Sequence, residues 1–196
     1  MTNMIDTRDI FLRGEYVILK VLTRDDVICS GWYGWFNDED LCKTLQKHYF
    51  PATMESQIEF WEKKIKSPND LIQLGICRAE GGPIVGIISL SNINFINRNA
   101  EMSILIGDRS AQNVSIFVDS CKLLFNHAFY SLNLNRIFGG SISEELVTLL
   151  CRMLNCKNEG VSRQQIYKQG KYHDAYRYAV LREDFPQLAP LESGVK

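Results

Sequence analysis

One stretch gathers most of the residue types that could do chemistry: AEMSILIGDRSAQNVSIFVDSCKLLFNHAFY, from Ala100 to Tyr130. Its first seven residues, Ala100 to Ile106, have strand character. Glu101 and Ser103 alternate there with Met102 and Ile104, so a carboxylate and a hydroxyl share one strand face. Gly107 stops the strand and a run of mostly polar or small residues follows. Phe117, Cys121, Leu124 and Ala128 then recur at helical spacing. Strand, polar turn and helix together place free backbone N–H groups and the positive end of a helix at one spot, which suits a phosphate. Gln112, Asn113, Val114, Ser115, Ile116 and Phe117 make up that turn and helix entry. A second set lies upstream, where Trp35, Asn37, Asp38, His48 and Tyr49 fall in a segment with little periodicity. Rings of this kind stack on flat ligand faces, and Asn or Asp can fix hydroxyls or an amine. The same residues could equally serve as core aromatics and a turn cap.

Metal chemistry finds no support. The six cysteines (Cys29, Cys42, Cys77, Cys121, Cys151 and Cys156) contain no C-x-x-C pair, and three scattered histidines do not supply a ligand set. Cys77, Cys121 and Cys151 sit among apolar neighbours, as small core residues do. Free thiols fit a reducing cytoplasm. The chain has 196 residues, 45% hydrophobic and 23% charged, with a formal net charge of −1. That balance gives no electrostatic case for nucleic acid or an anionic membrane. No apolar run reaches the length of a membrane span, and the charged N-terminal residues do not form a signal peptide.

The elements that must position these residues read as follows. Residues 1–10 are a lead-in, 11–184 a single domain and 185–196 a tail with little order. Tyr16–Leu22 is a first strand, and Thr23 with Asp26 three residues on starts a helix. A second helix opens at Pro51 and Thr53. Leu71–Ala79 and Ile84–Leu90 form a hairpin about Glu80-Gly81-Gly82-Pro83. Asn97-Arg98-Asn99 turns the chain into Ala100–Ile106. After the amphipathic helix, Asn135–Ile142 is a short buried strand. Glu144–Leu154 is a helix whose predicted apolar face is Leu146, Leu149, Leu150 and Met153. Glu159–Tyr167 and Tyr172–Leu181 form a last hairpin.

That order resembles the Gcn5-related N-acetyltransferase (GNAT) superfamily. GEYVILKVLTRDD at Gly14–Asp26 is similar to the opening strand and turn of the ribosomal-protein N-terminal acetyltransferase branch. GWFNDEDL at Gly34–Leu41 resembles a segment of that branch and of amino-sugar acetyltransferases. AEMSILIGD at Ala100–Asp108 resembles the family's central fourth strand, and GVSRQQIYKQGKYHDAYRYAVLRED at Gly160–Asp184 its last hairpin. The resemblance implies an α/β fold: a mixed, mostly antiparallel twisted sheet, splayed between the family's fourth and fifth strands, with helices on both faces.

It also implies a chemistry, transfer of an acetyl group from acetyl-CoA to a primary amine without a metal. Glu101 is the implied base and Cys151 stands where many members carry a tyrosine general acid. The backbone at Leu105 and Ile106 would hold the pantetheine arm, and Gln112–Phe117 the pyrophosphate. Trp35, Asn37, Asp38, His48, Tyr49 and Ser103 would face the acceptor, expected to be a small-molecule amine such as an amino sugar or nucleotide-linked amino sugar. The expected setting is cytoplasmic, as a monomer or homodimer, with no nucleic-acid or membrane partner. Two other readings fit the same residues. The turn lacks the family's glycines, there being none between Gly107 and Gly139. Phe117 and Glu144 also depart from the family pattern. Such a chain could be a non-catalytic binding module, or an acyltransferase taking another donor such as an acyl-carrier protein.

Overall fold

Val17–Val21 is apolar at nearly every position, the pattern of a strand buried on both faces. It lies inside an eight-stranded sheet. In the computed structural model, which describes residues 5–45, 49–66 and 70–188, the strands are β1 (Ile10–Arg13), β2 (Val17–Val21), β3 (Ile72–Arg78), β4 (Gly86–Asn94), β5 (Asn99–Ile106), β6 (Arg136–Ser141), β7 (Lys157–Lys168) and β8 (Lys171–Leu181). Their spatial order is β1-β2-β3-β4-β5-β6-β8-β7. Every neighbouring pair is antiparallel except β5 and β6, which run parallel.

The β5–β6 pairing is short. Asn99, Ala100 and Glu101 pair with Arg136, Ile137 and Phe138, and from Met102 onward β5 has no partner on that side. The sheet is therefore splayed at Glu101. This agrees with the fold expected from the sequence, with one strand more than anticipated. β1 precedes the expected first strand and takes in Ile10, the last residue of the expected lead-in. Four residues of weak alternation give too little sequence signal for a strand that exists only by pairing with β2.

Helices cover both faces. α1 (Arg24–Cys29), α2 (Trp32–Trp35), α3 (Glu39–Cys42) and α4 (Met54–Phe60) are short and follow β2. Thr23 and Asp26 form the expected reciprocal cap on α1, and Thr53 and Ser56 a second one on α4. These helices pack on one face with Ile18, Leu22, Ile87 and Leu105. On the other face α5 (Val114–Asn126) and α6 (Glu144–Leu154) close the larger core over Leu19, Ile88, Ala100 and Met102. Alternation along β5 thus sends Ala100 and Met102 to the α5–α6 side and Leu105 to the other.

Two expectations need correction. The buried face of α6 is Val147, Leu150 and Leu154, while Met153 is 46% exposed. The helix ends on Asn155 in a left-handed conformation, so its last apolar contact is Leu154. The expected tail also begins with core: Phe185 is buried, with its ring 5.7 Å from those of both Phe125 and Phe129. Cys77 and Cys121 are buried as read, and Cys151 is half-buried. No helix among the described residues is long and apolar enough to cross a membrane.

Candidate active site

The face of the sheet that carries the short helices holds a cleft of about 830 Å3. Its floor is built from strand register. Gln73, Ser89 and Ser103 lie side by side across β3, β4 and β5, and the next cross-strand pair outward is Ser91 and Glu101. Ile87 and Leu105 form the apolar pair on the other side of the serine row. Trp32, Phe36, Tyr49, Phe50, Gln57 and Phe60 form walls and mouth. The described cleft is thus aromatic at its sides and neutral-polar along its floor.

Glu101 stands at the last rung before β5 and β6 part. The amide of Asn92 donates to its carboxylate at 3.2 Å. Asn92 can do so because the β4–β5 register shifts between Ser91 and Asn94, and Asn92 sits at φ +53°. A bulge re-aims the side chain it carries, and asparagine tolerates the left-handed region better than most residues. No spacing in the sequence marks Asn92. Its role follows from a bulge that only the paired strands reveal.

The turn after β5 is built without glycine and without strain. Arg109–Ala111 is one turn of 3-10 helix capped by the Asp108 carboxylate. Asn113 is the N-cap of α5 with extended backbone (φ −138°), and its side chain accepts the N–H of Ile116. None of the positive-φ residues falls between Gly107 and Asn133. The missing glycines therefore carry no conformational penalty here. Gln112 turns back, donating its amide to the Ile106 carbonyl at 3.0 Å. The N–H groups of Asn113 and Phe117 go to the Ala111 and Asn113 carbonyls. Those of Val114 and Ser115 have no partner among the described residues, and both residues are exposed. Phe117 is half-buried against the main core. The entry to α5 thus offers two open N–H groups and a helix dipole, a fit for a phosphate. Arg109 is held by Asp38 at 3.0 Å.

The other sequence candidates separate by place. Ser103, Leu105 and Tyr49 line the cleft with Glu101. Trp35 lies outside that lining and packs its ring on Gly107, where an added Cβ would come within 2.0 Å of it. Asn37 is bridged to the backbone of Ala52, donating to its carbonyl and accepting its N–H, both at 2.8 Å. Asp38 caps α3 and its carboxyl is held below the usual range, first by the Leu41 N–H and then by Arg109. His48 lies outside the described residues. Cys151 is on the α5–α6 side, against the main core, where burial raises its thiol above the ordinary value. The last hairpin reaches over to the cleft. Lys168 donates to the Cys42 carbonyl and, at 2.7 Å, to that of Leu45, and Tyr49 donates its hydroxyl to the Tyr167 carbonyl. Sequence reasoning missed Trp32, Gln57 and Asn92. Only burial distinguishes the first two.

A strand parted from its neighbour beside a carboxylate, with an open helix start one turn on, is the frame that the sequence resemblance anticipated. The model of the acetyltransferase (GNAT) domain matches residues 17–145. The chain belongs to the GNAT family. It is an N-acetyltransferase of that type. Among curated relatives, Bacillus subtilis YdaF, by name a ribosomal N-acetyltransferase, is 27% identical over 132 residues, 67% of this chain and 70% of YdaF. Two solved structures share the fold. The spermidine N-acetyltransferase of Vibrio cholerae, in complex with CoA and spermine, has a TM-score of 0.77 at 21% identity, covering 86% of this chain and 96% of its own. RimL, a ribosomal L7/L12 N-acetyltransferase with CoA joined to a cysteine by a disulfide, has a TM-score of 0.74 at 18% identity, covering 88% and 97%.

Proposed function

We propose that this protein transfers the acetyl group of acetyl-CoA to a primary amine lodged in the cleft, with Glu101 as the base. The observation that carries this is the place of Glu101, on the cleft face at the rung where β5 and β6 separate. A carboxylate there can take a proton from the amine, directly or through a water. The amine nitrogen then bonds to the thioester carbonyl carbon and the C–S bond breaks. The departing thiolate takes a proton, for which we assign Cys151. Burial raises that thiol above its ordinary value. Leu105 and Ile106 on the free edge of β5, and Val114 and Ser115 at the helix start, would hold the pantetheine and the pyrophosphate.

The acceptor is read from the floor of the cleft. Gln73, Ser89 and Ser103 are neutral hydrogen-bonding groups, and the acids lining the cleft are Glu101 and Asp70. This favours one amine on a neutral polar body. The relatives bear names for ribosomal-protein and spermidine acetylation, so an amino sugar has no support from them.

Two measurements test the reading. Saturating acetyl-CoA should raise the melting temperature by about 5–10 °C, because a ligand bound only to the native state stabilises it. No shift at millimolar acetyl-CoA removes the donor assignment. Glu101→Gln should then lower kcat on the order of 100-fold with the acetyl-CoA shift intact. Unchanged turnover takes Glu101 out of the mechanism.

A further inference from the structure

The bulge in β4 reverses which side chains face the cleft. Leu90 belongs to the core under α5 and α6, and Ser91 lines the cleft. Strict alternation would next send Asn92 to the core and Ile93 to the cleft. The structure does the opposite: Asn92 lines the cleft and Ile93 packs against the core. β4 achieves this by carrying one residue more than β5 between the Ser91–Glu101 and Asn94–Asn99 pairs. It requires a non-glycine residue at φ +53°. Bulges re-aim side chains in this way and are over-represented beside active sites. The side chain re-aimed here meets Glu101. Its amide makes the one hydrogen bond to that carboxylate among the described residues, on Oε2, and Oε1 has no partner among them. The backbone alone does not call for the amide, since glycine adopts the left-handed conformation with less strain.

We propose that Asn92 is a positioning residue for the acetyl transfer, holding Glu101 by Oε2 so that Oε1 is presented to the amine. This rests on the assignment of Glu101 as the base. A glutamate side chain is long and free to rotate, whereas a base must come within about 2.6–3.2 Å of the group whose proton it takes. One tied oxygen fixes the carboxylate and leaves the other to accept. Hydrogen bonds from a neighbouring side chain are what keep a catalytic group in its productive geometry. The donor is a neutral amide, so it orients the carboxylate without pairing its charge. A lysine or arginine in that place would bind the carboxylate more strongly and compete with the amine for it. The proton passes from the amine to Oε1, and Asn92 keeps its own hydrogens throughout.

The test separates backbone from side chain. Asn92→Gly keeps the left-handed bulge and deletes the amide. Asn92→Asp keeps the shape and replaces the donor by a second carboxylate. Each is made alone and together with Glu101→Gln, and assayed with acetyl-CoA and the best acceptor of a panel of dipeptide amides, alkylamines, polyamines and amino sugars. Asn92→Gly should lower kcat about tenfold, leave both KM values within roughly twofold and keep the melting temperature within about 3 °C. Asn92→Asp should lose at least as much. With Glu101→Gln in place, either change should alter kcat by less than about twofold, because no base is left to position. Full activity of Asn92→Gly would reduce Asn92 to a backbone role and overturn the proposal. So would equal losses in both backgrounds, or a loss confined to the KM of the amine, which would put the amide on the acceptor. Those outcomes leave Glu101 standing as the base. Unchanged turnover in Glu101→Gln alone removes the base and the positioning role with it, and acetylation of no amine overturns the transferase reading as well. Should Asn92→Gly fail to fold, the paired comparison with Asn92→Asp decides.

Discussion

Single residues settle how the site is held, and several do so in ways their types did not announce. Asp38 was expected to face the acceptor. It instead caps α3 and anchors Arg109 of the turn after β5. Its carboxyl titrates below the ordinary value of 3.8 because the Leu41 N–H and Arg109 favour the charged form. The folded value is the lower one, so the stabilisation is present above the unfolded value and is lost as pH falls through the folded one. Wild type should therefore lead Asp38→Asn in stability at neutral pH, and the gap should close on acidification below about pH 4. Urea melts at several pH values check this. A gap that widens toward acid would contradict the assignment. Trp35 has a similar history. Its type suggests a stacking surface, yet its ring fills the place a Cβ on Gly107 would occupy. Gly107, just past the end of β5, leaves the room that the Trp35 ring takes. The sequence shows the glycine but not the ring that requires it.

Elements were legible where local chemistry defines them. Glu144–Leu154 was read to the residue, since Ser143 supplies an N-cap and the periodicity is strong. The caps on α1 and α4 were equally plain. β1 was not, because its only reason to be a strand is β2. The cleft walls were only partly legible. Glu101 and Ser103 could be placed on one face by alternation, whereas Gln57 in α4 and Trp32 in α2 join the cleft wall only through tertiary packing. One link between elements is open to test. Asp119 of α5 accepts the N–H groups of Tyr16 and Val17 at 2.8 and 3.1 Å, joining the helix that follows the turn after β5 to β2. Its carboxylate also occupies the space beside Gly14. Asp119→Ala should cost about 2–3 kcal/mol in urea denaturation, because both N–H groups lose a charged acceptor. Asp119→Asn, which keeps an oxygen, should cost less. Equal stability of all three proteins would show that the link contributes nothing.

At the scale of the molecule, the family order of strands and helices was readable because pattern and turn chemistry agree along most of the chain. The ends were harder. Phe185 follows a polar run and precedes a proline, so nothing local marks it as core, yet it completes the aromatic group with Phe125 and Phe129. The last hairpin is also more than an edge. Through Lys168 and Tyr167 it grips Cys42 at the end of α3, and Leu45 and Tyr49 beside the cleft. Cleft shape is thus set by residues more than 100 positions apart, a relation that no window of sequence contains.

The parting of β5 from β6 bears on motion as well as on shape. Strands β1 to β5 and strands β6 to β8 meet through three rungs, so the sheet is two plates on a narrow seam. A pantetheine arm laid along the open edge would lengthen that seam. Amide hydrogen exchange on the β5 edge from Met102 to Ile106 should then slow when acetyl-CoA is added, while exchange within the fully paired β2–β3 ladder should not change. Uniform slowing across the sheet would instead mean that the two plates already move as one.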